Sequence, residues 1–368
     1  MNRLVYLSPV PWNSFAQRPH KFVEWFHAAT HGEVLWIDPY PTRFPKLSDF
    51  RKLSNKSHTP LNTKTEKWLR VLPVRSLPIE PIPGSGLVNT FLWRDLLREI
   101  DKFSKTGETL LVAGKPSELA IHLLTHSTFS STAYDAMDDF PAFYSGISKW
   151  AMQHRESVLA HKVQHILTSS TALMERFSNS GGAKLCMNAC DIETLPLVVD
   201  LPSRPHQRIL GYVGTIGAWF DWTMIHKLAK CNKVKIKLIG PMFSPPQGVL
   251  PQNVEIYPQC AHTEAIAAIQ GFDIGLIPFK QTDLTESVDP IKYYEYRALG
   301  LPVLSSHFGE MRSHAQKAGV FILRENDETT TVSSTVDAAL NYVSSTEEII
   351  SFRKENSWPS RFNNTHLI

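Results

Sequence analysis

Residues 287–303, SVDPIKYYEYRALGLPV, show most directly what kind of fold this chain forms. Asp289 is a favourable helix N-cap and Pro290 suits a first helical position, so a helix is predicted to begin here. Gly300 ends that helix, and Pro302 prevents it from resuming before the next apolar run. The segment therefore supplies one unit of alternating helix and strand. The predicted elements are a strand at 274–278, a helix at 290–299 and a strand at 303–305.

The same alternation extends along most of the chain, and a helix between two successive strands favours parallel pairing. We therefore predict an α/β fold with two Rossmann-like domains, each built on a parallel sheet. The stretch 41–83 lacks this pattern and is predicted to be irregular. The other predicted strands are at 4–7, 34–37, 109–112, 131–135, 163–168, 209–213, 234–239 and 254–257. The other predicted helices are near Pro19 and Asp221 and at 88–103, 117–126, 150–160, 172–179 and 262–270.

A Pro-rich stretch, 191–207, interrupts the alternation and is the predicted linker. We predict an N-terminal domain over 1–195, a C-terminal domain over 208–350 and a final segment, 351–368, that packs back on the N-terminal domain. Ligands of open α/β sheets bind beyond the carboxyl ends of the strands, and domain clefts are the default pockets. We therefore expect the two sheets to face a central cleft that holds the ligands.

Composition narrows the class of protein. The 368 residues are 42% apolar and 20% charged, and their net charge of +3 is too small to indicate nucleic-acid binding. No apolar run approaches the ~20 residues of a membrane span, and Pro9 and Pro11 break the apolar stretch at the N-terminus. We therefore expect a cytoplasmic protein, in which Cys186 and Cys190 are free thiols.

Lys292 and Glu295 form the most informative pair of charged residues. Lys292 falls in the first turn of the predicted helix, where the positive end of the helix dipole disfavours a cation unless an anion is also bound. Glu295 is three residues further on and shares a helix face with Lys292. The pair can hold a diphosphate and the hydroxyls of a ribose, or it can be an ordinary surface ion pair.

The segment 290–303 resembles the donor-site motif of bacterial family 4-like (group 1) glycosyltransferases, which has the form P-x-K-x-x-E-Y-x-A-x-G-x-P-V. This resemblance implies the GT-B fold and the transfer of a sugar from a nucleotide diphosphate-sugar. The stretches that resemble the family occur in the family's order along most of the chain. Other stretches that resemble the family are 17–20, 134–139, 211–221, 272–279, 283–287 and 356–358.

The resemblance also implies roles for particular residues. The motif's lysine contacts the donor diphosphate and its glutamate binds the nucleotide ribose, which assigns these roles to Lys292 and Glu295. The glycine loop after the first strand of the second domain lets the phosphates approach Gly214. No metal and no cofactor are implied, since Lys292 and the helix dipole can stabilise the leaving diphosphate. The full predicted donor site is Gly214, Thr215, Pro290, Lys292, Tyr293 and Glu295.

One position departs from the family pattern. Many relatives carry a second glutamate eight positions before the ribose-binding one, whereas this chain has Ser287 there. The usual contacts of that glutamate with the sugar, and with them a retaining mechanism, are therefore not implied for this chain.

Further candidate catalytic residues lie in the first half of the chain. Asp138 and Asp139 can cap a helix, contact a sugar, or act as general base in an inverting transfer. Together with Asp135 they can also be read as metal ligands. His20 follows the first strand, so it either contacts a substrate or only begins a helix. Arg18 is a candidate contact for phosphate or acceptor.

The stretch 43–75 is strongly basic, with nine Lys or Arg residues against Asp49 and Glu66. It is either a solvated loop or a surface that meets anionic lipid. Trp68 and Leu69 would add a shallow apolar contact, or they belong to the core. We hypothesise peripheral attachment to the inner face of the cytoplasmic membrane.

The expected function is transfer of a sugar from a nucleotide-sugar donor to a glycan or lipid-linked acceptor in cell-surface polysaccharide biosynthesis. One alternative on the same fold is a nucleotide-sugar 2-epimerase. Another is a catalytically inactive subunit that keeps the GT-B fold as a binding or scaffold module.

Overall fold

The chain forms two compact units in the computed structural model. One unit comprises Met1–Cys186 with Phe362–Ile368, and the other comprises Met187–Arg361. This division places residues 351–361 with the second unit. The ranges that the structure describes are 1–42, 66–77, 79–80, 82, 84–197, 208–231 and 234–368. Most of the basic stretch (43–65) and of the predicted linker (198–207) lie outside these ranges.

The first unit is built on a parallel sheet of seven described strands in the order β3-β2-β1-β4-β5-β6-β7. Its central strand β1 pairs in parallel with β2 and β4. Leu4, Val5 and Tyr6 in β1 are fully buried, as expected for a strand covered on both faces. The strands are Arg3–Leu7 (β1), Glu33–Ile37 (β2), Leu69–Leu72 (β3), Thr109–Ala113 (β4), Ser131–Ala136 (β5), His165–Thr168 (β6) and Ala183–Leu185 (β7).

The second unit is built on a parallel sheet of six described strands in the order β10-β9-β8-β11-β12-β13. Chain order reverses at β8, which pairs with β9 on one side and with β11 on the other. The two sheets confirm the predicted fold class. The strands are Arg208–Val213 (β8), Val234–Ile239 (β9), Val254–Tyr257 (β10), Ile274–Ile277 (β11), Val303–Ser306 (β12) and Val320–Leu323 (β13).

Helices separate most of these strands, as the alternation predicts. The helices of the first half are Arg18–Thr30 (α1), Ser85–Leu92 (α2), Arg94–Ser104 (α3), Glu118–His126 (α4), Gly146–Lys162 (α5) and Thr171–Arg176 (α6). Short 3₁₀ segments are Phe140–Phe143 and Ser178–Ser180. The helices of the second half are Trp222–Leu228 (α7), His262–Gln270 (α8), Asp283–Glu286 (α9), Ile291–Ala298 (α10), Met311–His314 (α11), Thr329–Leu340 (α12), Thr346–Glu355 (α13) and Trp358–Asn363 (α14).

Two sequence predictions are wrong in the first unit. The stretch predicted as irregular contains β3, which pairs in parallel with β2, so this short strand owes its structure to its neighbour more than to its own sequence. The single helix predicted over 88–103 is instead α2 and α3, separated at Trp93, whose side chain is buried against Tyr40.

The apolar residues near the basic stretch are packed within the first unit. Leu69 is buried in β3, and the Trp68 ring stacks on His27 with a centroid distance of 4.4 Å. All four cysteines are free, as predicted for Cys186 and Cys190. Across the described ranges, every helix is either too short or too polar to cross a membrane.

Candidate functional site

Asp289 anchors the start of α10 from inside the second unit. Its carboxylate accepts hydrogen bonds from the Tyr294 hydroxyl, at 2.9 Å, and from the Asn188 backbone N–H, at 2.7 Å. His314 Nε2 lies 3.3 Å from the same carboxylate. The predicted N-cap role of Asp289 is therefore wrong, because these partners occupy its side chain, and the cap position is Pro290. The anchor nevertheless fixes where the helix begins.

Tyr296 fixes the other end of the same helix against the sheet. Its hydroxyl accepts a hydrogen bond from the Val213 backbone N–H at 3.2 Å, and its ring is fully buried. Gly275 in β11 permits this contact, because a Cβ at that position would overlap the Tyr296 ring. The last residue of β8 and the helix α10 are thereby held together. The helix ends at Ala298 with Leu299 as its C-cap, and Gly300 follows with a φ of +77°, which stops the helix as predicted.

Gly214, directly after β8, lies against Lys292 in the first turn of α10. Its φ is +151°, a conformation that L side chains rarely adopt. A Cβ at Gly214 would come within 2.7 Å of Lys292 Cε and 2.9 Å of the Tyr212 hydroxyl. That hydroxyl donates to the Thr215 carbonyl at 2.8 Å, which shapes the loop. Glycine adopts this φ readily and leaves the backbone open beside the lysine.

Lys292 and Glu295 form a partly exposed ion pair on one face of α10, with 3.5 Å between Nζ and Oε2. The structure thus brings Gly214, Lys292 and Glu295 of the predicted donor site into one region, with Thr215 in the adjoining loop. Pro290 is buried at the helix cap. The Tyr293 ring is buried and stacks on His314 at 4.0 Å, which is a core position.

Ser287, in the position of the second glutamate of relatives, is buried beside this region. Its hydroxyl has no hydrogen-bond partner among the described residues. The preceding residue, Glu286, forms an ion pair with Arg312. The chain therefore has a buried hydroxyl at the sequence position of that glutamate.

In the first unit, Arg18 is occupied by a buried ion pair with Asp135. Arg18 Nη2 lies 2.8 Å from an oxygen of that carboxylate, and both side chains are almost fully buried. The Tyr6 hydroxyl donates to the other Asp135 oxygen at 3.0 Å, and Arg18 Nη1 donates to the Cys186 carbonyl at 2.6 Å. A phosphate or acceptor would have to compete with these internal bonds for Arg18.

Asp138 and Asp139 follow β5 and have different environments. The Asp139 carboxylate accepts a hydrogen bond from Arg176 at 2.7 Å, which gives it a structural partner. Asp138 is half-buried as a whole residue, and its carboxyl belongs to the buried part. Burial of its carboxyl raises the pKa of Asp138 to about 7; Arg18 opposes this shift, whereas Asp135 and Asp139 add to it. Such a pKa suits a group that gives and takes protons near neutral pH.

His20 is buried, and both of its ring nitrogens are engaged. Nδ1 accepts from the Gln17 backbone N–H at 3.2 Å, so Nε2 carries the proton that is donated to the Trp12 carbonyl at 3.1 Å. The ring packs between Trp12 and Trp36, at centroid distances of 5.0 and 4.9 Å. Burial lowers the pKa of His20, and the neutral ring holds the loop after β1 in place.

Sequence reasoning did not find the residues that converge on Asp289. The Asn188 backbone N–H, the Tyr294 hydroxyl and His314 Nε2 lie against its carboxylate, and the Asn188 side chain donates to its backbone carbonyl. The Asn188 and His314 segments lie far from Asp289 in the sequence, so no local pattern marks those two. Within the described ranges, no three His, Cys, Asp or Glu side chains are grouped so as to hold a metal ion.

Two Rossmann-like units, with the glycine loop and the lysine-bearing helix in the second, have the GT-B fold. Sucrose-phosphate synthase from Thermosynechococcus elongatus is similar, with a TM-score of 0.70 and 13% identity over 99% of this chain and 97% of its own. HepE of Anabaena in complex with UDP has a TM-score of 0.61 and 13% identity over 99% and 98%. The lipopolysaccharide outer core galactosyltransferase WaaB has a TM-score of 0.64 and 12% identity over 99% and 98%.

At this level of identity, the likeness shows the fold. No family model matches the sequence, and no curated protein matches it either.

Proposed function

We propose that this chain is a glycosyltransferase that moves a sugar from a nucleotide diphosphate-sugar to a glycan or lipid-linked acceptor. The observation that carries the proposal is the approach of the Gly214 backbone to Lys292, with Glu295 paired to that lysine. The proposal is supported by HepE, which has the same fold and whose structure is a complex with UDP. A diphosphate can bind closely where a glycine exposes its backbone next to a cation.

The donor is bound by the start of α10. Lys292 and the N–H groups of the first turn meet the diphosphate, where the positive end of the helix dipole adds to the attraction. Glu295 accepts hydrogen bonds from the ribose hydroxyls, and these bonds are strong because the acceptor is charged. Because negative charge grows on the diphosphate as the sugar leaves, Lys292 stabilises the transition state and the reaction needs no metal ion.

The acceptor hydroxyl is activated by Asp138. In an inverting transfer, the acceptor oxygen forms a bond to the anomeric carbon while the bond from that carbon to the diphosphate oxygen breaks. The hydroxyl proton passes to the Asp138 carboxylate. A pKa raised to about 7 makes Asp138 a stronger base than an ordinary aspartate and leaves a large fraction of it unprotonated at neutral pH.

The biological setting that we propose is cell-surface polysaccharide biosynthesis on the cytoplasmic side of the membrane. WaaB, which shares the fold, is a galactosyltransferase of the lipopolysaccharide outer core. A lipid-linked acceptor would bring the enzyme to the membrane surface.

The proposal is tested first by thermal shift with a panel of nucleotide-sugars and nucleoside diphosphates. A ligand present at 100 times its dissociation constant stabilises a protein by about 2.7 kcal/mol, which is readily measured. The stabilising donor is then incubated with candidate acceptors in the presence of EDTA, and free nucleoside diphosphate is measured. We expect release that depends on the acceptor and persists in EDTA.

Other outcomes identify the alternatives. Conversion of the donor sugar with no acceptor would indicate a 2-epimerase. Binding of the donor with no turnover under any acceptor or metal would indicate an inactive binding module. Activity that EDTA abolishes and Mg²⁺ or Mn²⁺ restores would contradict the metal-independent mechanism.

A further inference from the structure

The second unit begins with residues 187–190, which we call the entry segment, and ends with residues 356–361, which we call the exit segment. The two segments are bonded to each other. The Cys190 backbone N–H donates to the Asn356 carbonyl at 2.9 Å. Cys190 also forms a parallel β-bridge with Ser357, and both of these residues are buried. The beginning and the end of the unit therefore lie side by side.

Asn188 in the entry segment is bonded twice to Asp289, the residue directly before the cap of α10. Its backbone N–H donates to the Asp289 carboxylate at 2.7 Å, and its side-chain amide donates to the Asp289 carbonyl at 2.6 Å. Both residues are buried, so water competes little for these bonds, and the charge of the carboxylate strengthens the first of them. The entry segment therefore holds the start of α10 at two points.

Arg361 in the exit segment joins both segments to the same helix. Its Nε donates to the Asn188 carbonyl at 3.3 Å, and its Nη2 donates to the Asn356 side-chain oxygen at 2.5 Å. The guanidinium lies 5.7 Å from the centre of the Tyr294 ring. The Tyr294 hydroxyl in turn donates to the Asp289 carboxylate at 2.9 Å. One side chain therefore contacts the entry segment, the exit segment and α10.

Arg353 in α13 holds the other end of α10. Its Nη1 donates to the carbonyl of Ala298, the last residue of α10, at 3.1 Å. Its Nη2 donates to the carbonyls of Ile192 and Leu195, at 2.9 and 2.7 Å, and these two residues follow the entry segment closely. Both ends of α10 are therefore bonded to the stretch with which the second unit begins.

An anion bound at the start of α10 affects these contacts, because helix ends fray. The N–H groups of a first turn lack partners within the helix, and an anion that accepts from them stabilises the turn. Lys292 is in this turn, three residues after Asp289. A ligand that orders the turn also holds Asp289 where it accepts from Asn188. By thermodynamic reciprocity, the bonds of Asn188 lower the cost of ordering the turn and strengthen ligand binding.

We propose that Asn188 and Arg361 are positioning residues for Lys292, and that a nucleoside diphosphate bound at α10 stabilises their contacts with the helix. This inference rests on the proposed function, since it takes the anion at α10 to be the donor diphosphate. Asn188 acts on the helix through Asp289, and Arg361 acts through Asn188 and Tyr294. Occupancy of the donor site is thereby transmitted to the segments with which the second unit begins and ends.

The test combines calorimetry with hydrogen–deuterium exchange on the full chain. UDP, GDP, ADP, CDP and dTDP are ranked by thermal shift, and the most stabilising one is the probe. We expect the probe to slow exchange in the first turn of α10 and in the entry segment, where the Asn188 amide reports its bond to Asp289. Arg361→Met should weaken probe binding about fivefold or more. With the probe at saturation, this variant should keep the protection of α10 and lose that of the entry segment.

Two further variants complete the test, and thermal unfolding is measured on all of them. Asn188→Ala removes only the side-chain bond to the Asp289 carbonyl, so it should show the same pattern more weakly, and it replaces Arg361→Met if that variant does not fold. The matched control, Arg208→Met, breaks an ion pair with Asp273 in the same unit and should behave like the unaltered protein.

The outcomes separate this inference from the proposed function. Probe binding that protects α10 but not the entry segment would overturn the inference and leave the nucleotide site intact. Unchanged affinity and unchanged exchange in Arg361→Met, or an equal change in Arg208→Met, would overturn it as well. If none of the nucleoside diphosphates binds the unaltered protein, the proposed function fails and the inference fails with it.

Discussion

Gly214 lies against Lys292, so closely that a Cβ on the glycine would come within 2.7 Å of the lysine Cε. The two residues are far apart in sequence and come from the loop after β8 and from the first turn of α10. Asp289 and Tyr296 hold α10 in the place that makes this approach. The relationship ties the glycine loop and the lysine into one candidate diphosphate site.

Gly214→Ala should weaken nucleoside diphosphate binding about tenfold, because a φ of +151° and the contact with Lys292 together impose strain of roughly 1–3 kcal/mol. The loop or the lysine must shift to relieve it. Gly248→Ala is the matched control, since its φ is +89° and a Cβ there would meet nothing within 4 Å. Isothermal titration calorimetry measures both. If the two variants bind the nucleoside diphosphate with equal affinity, Gly214 is not part of the nucleotide site.

Arg18→Met should destabilise the first unit and leave nucleotide affinity unchanged. Removing the guanidinium leaves the Asp135 carboxylate buried without its partner, which costs about 3–5 kcal/mol in the free energy of unfolding. Denaturant unfolding measures this loss. Arg98→Met, which breaks an exposed pair with Asp95, should cost less than about 1 kcal/mol. Normal stability with weakened phosphate or acceptor binding would instead make Arg18 a substrate contact.

The rate of transfer should rise with pH through about 7, because Asp138 acts as a base only when it is unprotonated and its pKa is raised to about 7. The kcat/KM profile measures this. Asp138→Asn should lower kcat by roughly 10²–10⁴-fold and abolish the rise of kcat/KM with pH near 7. A profile unchanged in this variant would exclude Asp138 as the base.

The contribution of Asp138 to the free energy of unfolding should fall as the pH rises, whereas the rate of transfer rises. Its folded pKa lies above the unfolded value of about 4, so the folded state holds the proton more tightly. The stabilisation is fully present below about pH 4 and is lost as the pH rises to about 7.

Most of the fold could be predicted because strand and helix periods are local properties of the sequence. The strands β7 and β13 and the helices α9 and α11 to α14 were not predicted. Two further departures from the predicted elements depend on contacts elsewhere. The strand β3 has four residues and is fixed by pairing with β2. The break between α2 and α3 falls at Trp93, where no glycine or proline marks it. Only packing of the Trp93 ring against Tyr40 distinguishes that position.

In the candidate site, too, the features that are local in the sequence could be predicted. Lys292 and Glu295 share a helix face by spacing alone, and the ion pair between them follows. The buried partners of Asp289 and of Asp135 could not be predicted, because Asn188, His314 and Arg18 reach them from distant segments. A sequence displays which residue types are present, whereas the pairing of charges across a core is a result of the fold.

The central claim is that Lys292 and Glu295 hold the nucleotide diphosphate, and calorimetry on Glu295→Ala tests it most directly. Charged hydrogen bonds to the ribose contribute about 1.5–3 kcal/mol, so we predict a loss of nucleoside diphosphate affinity of roughly ten- to a hundredfold. Glu347→Ala, at an exposed glutamate of the same unit, should bind like the unaltered protein. Unchanged affinity in Glu295→Ala, with the protein folded, would contradict the account.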